Sequence, residues 1–149
     1  MISPFADNIG LYGILSDPVI GYVELTHIFI EQRVPFIQLR MKKSPLDDVR
    51  AMAIQLVKLT RGTGSKFILN DEPLLAKEVG ADGVHLGQTN MPYIEARALL
   101  GNDAIIGLST HNVEQVNVAN NLHPDYIGMG PVYPTPTKAN PDPVIGIEG

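Results

Sequence analysis

The stretch that decides the fold is residues 80–88, Gly-Ala-Asp-Gly-Val-His-Leu-Gly-Gln. Its centre, residues 83–86, is a short apolar run bounded by glycine, which predicts a buried β-strand. Helices are predicted on either side of it, over residues 73–79 and 92–100, and each begins at a proline. A strand between two helices is the repeating unit of a parallel α/β sheet.

The same alternation continues in both directions along the chain. Further strands are predicted at 11–15, 36–40, 67–70, 105–109 and 126–129. Further helices are predicted at 19–32, from 44 onwards and at 113–121. Units that recur at intervals of roughly 25 residues indicate βαβ connections and one parallel sheet in a single domain, residues 1–149.

The helix that follows the second strand has the most specific pattern. Ser44, Pro45 and Asp47 form a capping-box pattern with proline at the first helical position. Its apolar residues recur at helical spacing, which predicts a buried stripe. The stripe comprises Leu46, Val49, Ala53, Leu56 and Val57.

The composition excludes several classes of protein. Hydrophobic residues make up 44% of the chain and its apolar runs are strand-sized, which excludes disorder and predicts no membrane span. The net charge of −5 argues against general nucleic-acid binding, which needs a basic surface. There is no cysteine, so disulfides and thiolate metal sites are excluded. With no signal-peptide pattern after Met1, we expect a cytoplasmic protein, and a homo-oligomer is compatible with the sequence.

A candidate anion site follows the second predicted strand. Because side chains alternate along a strand, Gln38, Arg40 and Lys42 are predicted to share one face. Arginine offers a planar fork to phosphate and lysine a point charge, so the three predict a phosphate clamp. The alternative is a solvated strand end.

Two candidate metal ligands follow the third and fourth strands. Asp71, after Asn70, suits Mg²⁺, which proteins hold through one or two carboxylates and substrate phosphates. A helix cap ahead of Pro73 explains Asp71 alone better. Asn90 likewise suits a helix cap. His85, within the fourth strand, fits a hydrogen-bonded core histidine at least as well as a catalytic one.

Polar residues also follow the fifth strand. Ser109 is placed to donate to a phosphate near a helix N-terminus. Thr110 and Asn112 fit helix caps equally well. His111 suits a general acid or base, since its ordinary pKa lies near neutrality, and equally an exposed loop residue.

The segment after the sixth strand, residues 128–138, combines glycines with polar groups. Glycine permits close approach of the backbone to a ligand, and Thr135, Thr137 and Lys138 supply hydroxyl donors and a cation. A proline-stiffened surface loop is the alternative. Because barrel enzymes bind substrates where strands end, the segment favours a binding site.

Taken together, these segments resemble the thiamine-phosphate synthases and their thiazole tautomerase relatives. The fourth and last of the matching segments are specific by themselves, and all of them occur in family order. They are Leu11-Tyr12 with Asp17-Pro18, Gln38-x-Arg40-x-Lys42, Asn70-Asp71, Gly80-Ala81-Asp82-Gly83-Val84-His85-Leu86-Gly87-Gln88, Gly107-Leu108-Ser109-Thr110-His111, and Gly128-x-Gly130-Pro131-Val132-Tyr133-Pro134-Thr135-x-Thr137-Lys138.

The resemblance implies a TIM-type (β/α)₈ barrel that joins a hydroxymethylpyrimidine diphosphate to a thiazole phosphate and releases pyrophosphate. It assigns the thiazole phosphate to Thr135 and Thr137, and Mg²⁺ to Asp71 and to the position of Asn90, where the family has a second aspartate. It assigns the pyrimidine diphosphate to Gln38, Arg40, Lys42, Asn70, Ser109 and Lys138. We expect Arg40, Lys42 and Lys138 to carry catalysis by stabilising the leaving diphosphate.

The resemblance also creates a discrepancy in length. A (β/α)₈ barrel usually needs about 200 residues or more, and only six strands are predicted here. We therefore expect the barrel to lack its last two βα units, which complete the thiazole phosphate site in the family. Two other functions stay open: a thiazole tautomerase that uses His111 for proton transfer, and a non-catalytic phosphate-ligand binder.

Overall fold

The computed structural model describes residues 10–134 and 143–147. In this part of the chain, strands and helices alternate in the predicted order. The strands are β1 (Tyr12–Leu15), β2 (Phe36–Leu39), β3 (Lys66–Asn70), β4 (Gly83–Leu86), β5 (Ile105–Thr110) and β6 (Tyr126–Met129). The helices are α1 (Tyr22–Glu31), α2 (Leu46–Thr60), α3 (Pro73–Val79), α4 (Tyr93–Leu100) and α5 (Val113–Leu122).

The strands form one parallel sheet in chain order, from β1 to β6. Five strand spacings of about 4.8 Å would separate β1 from β6 by roughly 24 Å if the sheet were flat. Instead, the hydroxyl oxygens of Tyr12 in β1 and Tyr126 in β6 lie 2.6 Å apart. The sheet is therefore rolled into an incomplete barrel of six βα units, as the sequence predicted.

Alternating side chains divide the apolar residues into two layers. Ile37 and Leu39 of β2 belong to the larger cluster, which packs the sheet against the helices. Phe36 of the same strand belongs to a small inner cluster with Ile68 and Ile105. Gln38 shares the parity of Phe36 and so lies on the concave face, inside the barrel.

Two helix starts differ from the prediction. Helix α1 begins at Tyr22, after a turn in which Val19 is fully exposed, because Gly21 at its N-cap has a φ of 92° that interrupts the helix. Helix α2 begins at Leu46, with Pro45 at the N-cap and no capping side chain, so the predicted capping box is wrong.

The α2 stripe is also shorter than predicted at its start. The carboxylate of Asp47 binds the Arg50 guanidinium one turn later, on the exposed side of the helix. Leu46 is 46% exposed and lies outside the core, whereas Val49 is buried. The polar Thr60 extends the buried face at the other end, where its hydroxyl donates to the Leu56 carbonyl.

Two aspartates secure the amino ends of the strands. Asp82, before β4, accepts a hydrogen bond from the Phe67 backbone N–H at 2.8 Å. Asp125, before β6, accepts one from the Ile106 N–H, also at 2.8 Å. These carboxylates satisfy strand donors at the end of the barrel opposite the predicted site.

Candidate functional site

The candidate site lies at the carboxyl ends of the strands. Strand β2 ends at Leu39, and Arg40 follows it directly, with its backbone N–H donating to the Leu15 carbonyl of β1. The Arg40 guanidinium donates to the Ser16 hydroxyl at 3.1 Å. Arg40 therefore lies on the β1 side of the mouth, held by the segment that follows β1.

Lys42 lies on the other side of the β2 end. Its ammonium group is 2.9 Å from the Asp71 carboxylate in the loop after β3. Half of the Lys42 side chain is exposed, so its charge reaches solvent. Lys42, Asn70 and Asp71 line one cleft at this edge of the sheet.

The predicted clamp is thus brought to one end of the barrel in two parts. Side chains alternate regularly only as far as the end of β2. The alternation therefore predicts the direction of the Gln38 side chain but not that of Lys42. Gln38 is 2% exposed and lies deeper in the barrel than Arg40. Arg40 and Lys42 bracket the strand end, one towards β1 and the other towards β3. The clamp's role in binding phosphate stays a prediction.

Asp71 occupies a conformation that non-glycine residues adopt rarely. Its φ is 68°, in the left-handed region, where aspartate is tolerated better than most side chains. The cap of α3 is Glu72 and involves no side chain, so the helix-cap alternative for Asp71 is wrong. Its backbone N–H donates to the His85 carbonyl at 2.9 Å, which fixes the Asp71 backbone between the ends of β3 and β4.

Asn90 is not a helix cap either. Helix α4 has Pro92 at its N-cap and no capping side chain. The Asn90 side-chain oxygen instead accepts a hydrogen bond from the Gly87 N–H, and the Asn90 N–H donates back to the Gly87 carbonyl. Asn90 therefore braces the turn after β4, with its amide oxygen directed at the strand end.

Asp71 and Asn90 offer oxygen donors of the kind that Mg²⁺ prefers. Lys42 contacts one of the two Asp71 carboxylate oxygens. Asp71 and Asn90 together carry one negative charge, that of the Asp71 carboxylate. No cluster of three or more His, Cys, Asp or Glu suited to a metal occurs within residues 10–134 and 143–147. These two oxygen donors would therefore suit a Mg²⁺ ion only if substrate phosphates supplied its further oxygen ligands.

A chain of hydrogen bonds crosses the barrel interior below these residues, and it was not predicted from the sequence. The Gln38 amide donates to the Tyr12 hydroxyl at 2.9 Å, and this hydroxyl lies 2.6 Å from that of Tyr126. The Tyr126 hydroxyl lies 2.9 Å from His85 Nδ1, and His85 Nε2 lies 2.8 Å from the Ser109 hydroxyl. The chain connects Gln38 on β2 with Ser109 on β5. His85 is thus a hydrogen-bonded histidine inside the barrel, and it also reaches a candidate phosphate donor.

The tyrosines in this chain are held as neutral hydroxyls. Burial raises the pKa of Tyr126 far above its ordinary value of 10.0, and the adjacent Tyr12 hydroxyl adds to the rise. Burial also raises the pKa of Tyr12, although its hydrogen bonds with Tyr126 and Gln38 act in the opposite direction. Each hydroxyl therefore keeps its proton at neutral pH and donates it within the interior.

Two residues near the carboxyl end of β5 were predicted as helix caps, and only one of them caps a helix. The Asn112 side chain accepts from the Gln115 N–H at 2.8 Å, which confirms it as the cap of α5. Thr110 is fully buried and donates to the Gly128 carbonyl at 3.2 Å, so it is not a cap. His111 Nδ1 lies 2.6 Å from the Gly130 carbonyl and so must carry the proton. This bond ties the loops after β5 and β6 together.

The remaining predicted site residues lie outside the described residues. They are Thr135, Thr137 and Lys138.

Comparison with known proteins identifies the family. A family model described as thiamine monophosphate synthase matches residues 12–149. The chain belongs to the thiamine monophosphate synthase family. The resemblance inferred from the motifs is therefore confirmed.

Two curated relatives and one solved structure are similar to this synthase-family chain. The thiamine-phosphate synthases of Phocaeicola vulgatus and Caldicellulosiruptor saccharolyticus are 41% and 43% identical to it over 87% and 85% of the chain. The chain spans 62% and 57% of their lengths. A solved thiamine phosphate pyrophosphorylase from Pyrococcus furiosus superposes with a TM-score of 0.80 at 33% identity. That superposition covers 95% of this chain and 67% of the solved one, and it confirms the incomplete barrel.

Within the described residues, no helix is long and apolar enough to cross a bilayer.

Proposed function

We propose that this chain binds a hydroxymethylpyrimidine diphosphate at the carboxyl ends of β2 to β5 and couples it to a thiazole phosphate, releasing pyrophosphate. The observation that carries the proposal is the arrangement of Arg40, Lys42 and Asp71 around the end of β2, in a chain of the thiamine monophosphate synthase family. Two cations and one carboxylate at the mouth of a (β/α) barrel suit a diphosphate and its metal.

The reaction breaks one bond and forms another at a single carbon. The bond between the pyrimidine methylene and the diphosphate oxygen breaks, and its electron pair leaves with pyrophosphate. The thiazole nitrogen forms the new bond to that carbon with its lone pair. No protein nucleophile is needed, so the chain's task is to stabilise the charge that develops on the leaving group.

Each mouth residue has a distinct part in that task. Arg40 supplies a planar fork to two phosphate oxygens, and the Ser16 hydroxyl helps to hold the fork. Lys42, half exposed, supplies a point charge beside Asp71. Ser109 donates a hydroxyl to the phosphate from the β5 side. Lys138 is proposed as a third cation on the basis of the family resemblance alone.

We include Mg²⁺ in the proposal as the cofactor, held by the Asp71 carboxylate and the Asn90 amide oxygen. The ion would neutralise part of the diphosphate charge. Asn90 contributes no charge, so binding of the ion would depend strongly on the diphosphate itself. Thr135 and Thr137 are proposed to bind the thiazole phosphate. A cytoplasmic location and a homo-oligomer stay predictions.

A pyrophosphate-release assay with substrate omissions tests the proposal. With both substrates and Mg²⁺ present, we expect pyrophosphate and thiamine phosphate in equal amounts. Omitting the thiazole phosphate should abolish the coupled product. The Arg40→Met variant should lose activity, whereas Arg61→Met, which removes an exposed arginine at the opposite end of the barrel, should retain it.

Three results would contradict the proposal in different ways. Metal-independent isomerisation of a thiazole carboxylate phosphate, with no pyrophosphate released, would assign the chain to the tautomerases. Tight binding of the pyrimidine diphosphate without turnover would make the chain a ligand binder. Full activity in Arg40→Met would place the diphosphate elsewhere in the molecule.

A further inference from the structure

We propose that the interior hydrogen bonds run in one direction, from Gln38 to Ser109. They thereby fix the His85 imidazole as its Nε2–H tautomer and leave the Ser109 proton to be donated to substrate. His85 is then a positioning residue that acts through Ser109. The tautomer is a property of the barrel interior and does not depend on the proposed function. The consequence for substrate does rest on it.

The direction is set at the Gln38 end of the chain. An amide nitrogen can only donate, so the Tyr12 oxygen accepts from Gln38 Nε2 at 2.9 Å. The Tyr12 proton must then find another acceptor, and the Tyr126 oxygen lies 2.6 Å away. Running the bond in the opposite direction would leave the Tyr12 proton facing the amide N–H, which is costly for a group in the interior.

The direction then passes through Tyr126 to the imidazole. With its oxygen accepting from Tyr12, Tyr126 directs its own proton to His85 Nδ1 at 2.9 Å. An Nδ1 that accepts is unprotonated, so a neutral ring carries its proton on Nε2. The Nε2–H then donates to the Ser109 oxygen at 2.8 Å. The raised pKa values of the two tyrosines are consistent with this, because each must stay protonated to transmit the direction.

The consequence concerns what Ser109 offers to a phosphate. A serine hydroxyl has one proton. With the Nε2–H tautomer, Ser109 accepts from His85 and its proton points away, towards the anion of the proposed site. With the other tautomer, Ser109 would give its proton to His85 and present only lone pairs to an anionic oxygen. The chain of bonds therefore determines whether Ser109 attracts or repels the diphosphate.

Nitrogen-15 NMR of the imidazole rings tests the tautomer directly. The chain has four histidines, and a His85→Gln variant assigns the signals. At a pH where the ring is neutral, we expect a pyridine-like shift for Nδ1 and a pyrrole-like shift for Nε2 of His85. A pyrrole-like Nδ1 would overturn the inference. The tautomer is measured in the unaltered chain, and the variant serves only to assign its signals.

Substitutions then test the route. Tyr126→Phe removes the donor to Nδ1 and should give a mixture of tautomers, and Tyr12→Phe should do so by breaking the chain one step earlier. Tyr93→Phe is the matched control, since it removes another largely buried hydroxyl that bonds to the His123 carbonyl instead. An unchanged His85 spectrum in both network variants would refute the role of the chain.

Titration with magnesium pyrophosphate tests the consequence. We expect Ser109→Ala to weaken binding about tenfold and Tyr126→Phe to weaken it about twofold, since a mixture of tautomers keeps part of the competent state. In the Ser109→Ala background Tyr126→Phe should weaken binding no further, because both act on one hydrogen bond. Multiplying effects would refute the coupling. If the unaltered chain has the Nε2–H tautomer but does not turn over the substrates, the proposed function is wrong and the tautomer inference stands. If the chain is an active synthase with the Nδ1–H tautomer, the tautomer inference is wrong and the proposed function stands.

Discussion

Replacing Gly107 with alanine should damage the barrel interior, because this glycine makes room for Tyr126. The two residues are directly paired across β5 and β6. A Cβ atom at Gly107 would overlap three atoms of the Tyr126 ring, well inside ordinary contact distance. The ring cannot move freely, since its hydroxyl lies 2.6 Å from that of Tyr12 and 2.9 Å from His85 Nδ1.

The cost follows from these contacts. Overpacking a core with an extra carbon typically costs about 1–3 kcal/mol. Shifting the ring also breaks at least one of its two hydrogen bonds, at about 0.5–1.5 kcal/mol. We therefore expect Gly107→Ala to lower the free energy of unfolding by about 1.5–4.5 kcal/mol. That is a large fraction of the roughly 5–15 kcal/mol that stabilises a typical domain.

Urea unfolding followed by circular dichroism measures the loss. Gly128→Ala is the matched control, because a Cβ there would lie 3.7 Å from His85, at an ordinary contact distance. It should cost less than about 1 kcal/mol. Equal losses in the two variants would show that the overlap with the Tyr126 ring is not the cause. So would an undiminished loss from Gly107→Ala in a Tyr126→Ala background, where the ring is absent.

Three further predictions concern the mouth and the tyrosines. Asn90→Asp keeps an acceptor for the Gly87 N–H and adds a negative charge. The Mg²⁺ concentration that half-saturates pyrophosphate binding should therefore fall roughly tenfold in calorimetric titrations. An unchanged midpoint would mean that Asn90 only braces its turn. Lys42→Met should weaken magnesium pyrophosphate binding about tenfold, whereas Lys43→Met, at the neighbouring exposed lysine, should weaken it less than about threefold. Equal effects would mean that Lys42 is not part of the site. Because the pKa of Tyr126 is raised, the free energy of unfolding should keep its full value below pH 10.0 and fall as the pH rises above it, where only the unfolded chain loses the proton. A Tyr126→Phe variant with the same decline in alkaline urea titrations would contradict this.

The sequence predicted the sheet well wherever glycine and proline mark its boundaries. Strand β4 and helix α3 begin and end at the predicted residues, between Pro73 and the left-handed Gly80, and between Gly83 and Gly87. Helix α1 was predicted three residues too early because Val19 is apolar yet lies in an exposed turn. Hydrophobicity alone does not distinguish a turn from a first helical turn.

The site was predicted in part for a similar reason. Residues that close a strand, such as Arg40 and Asp71, are placed by the topology of any parallel sheet. The contact between Tyr12 and Tyr126 depends on how far the sheet curls, and 114 positions separate the two residues. The alternation along each strand does predict that Gln38 and His85 point into the barrel. It does not predict which inward polar side chains bond to one another, because that depends on how closely the curled sheet brings them together.

A crystal structure of the chain with magnesium and pyrophosphate would locate the bound diphosphate directly. The site that we propose lies at the carboxyl ends of β2 to β5. We predict pyrophosphate in contact with Arg40, Lys42 and Ser109, with the metal on Asp71. Pyrophosphate bound instead at the opposite end of the barrel, beside Arg61 and Lys66, would contradict the account, and so would a site at the mouth that stays empty under saturating ligand.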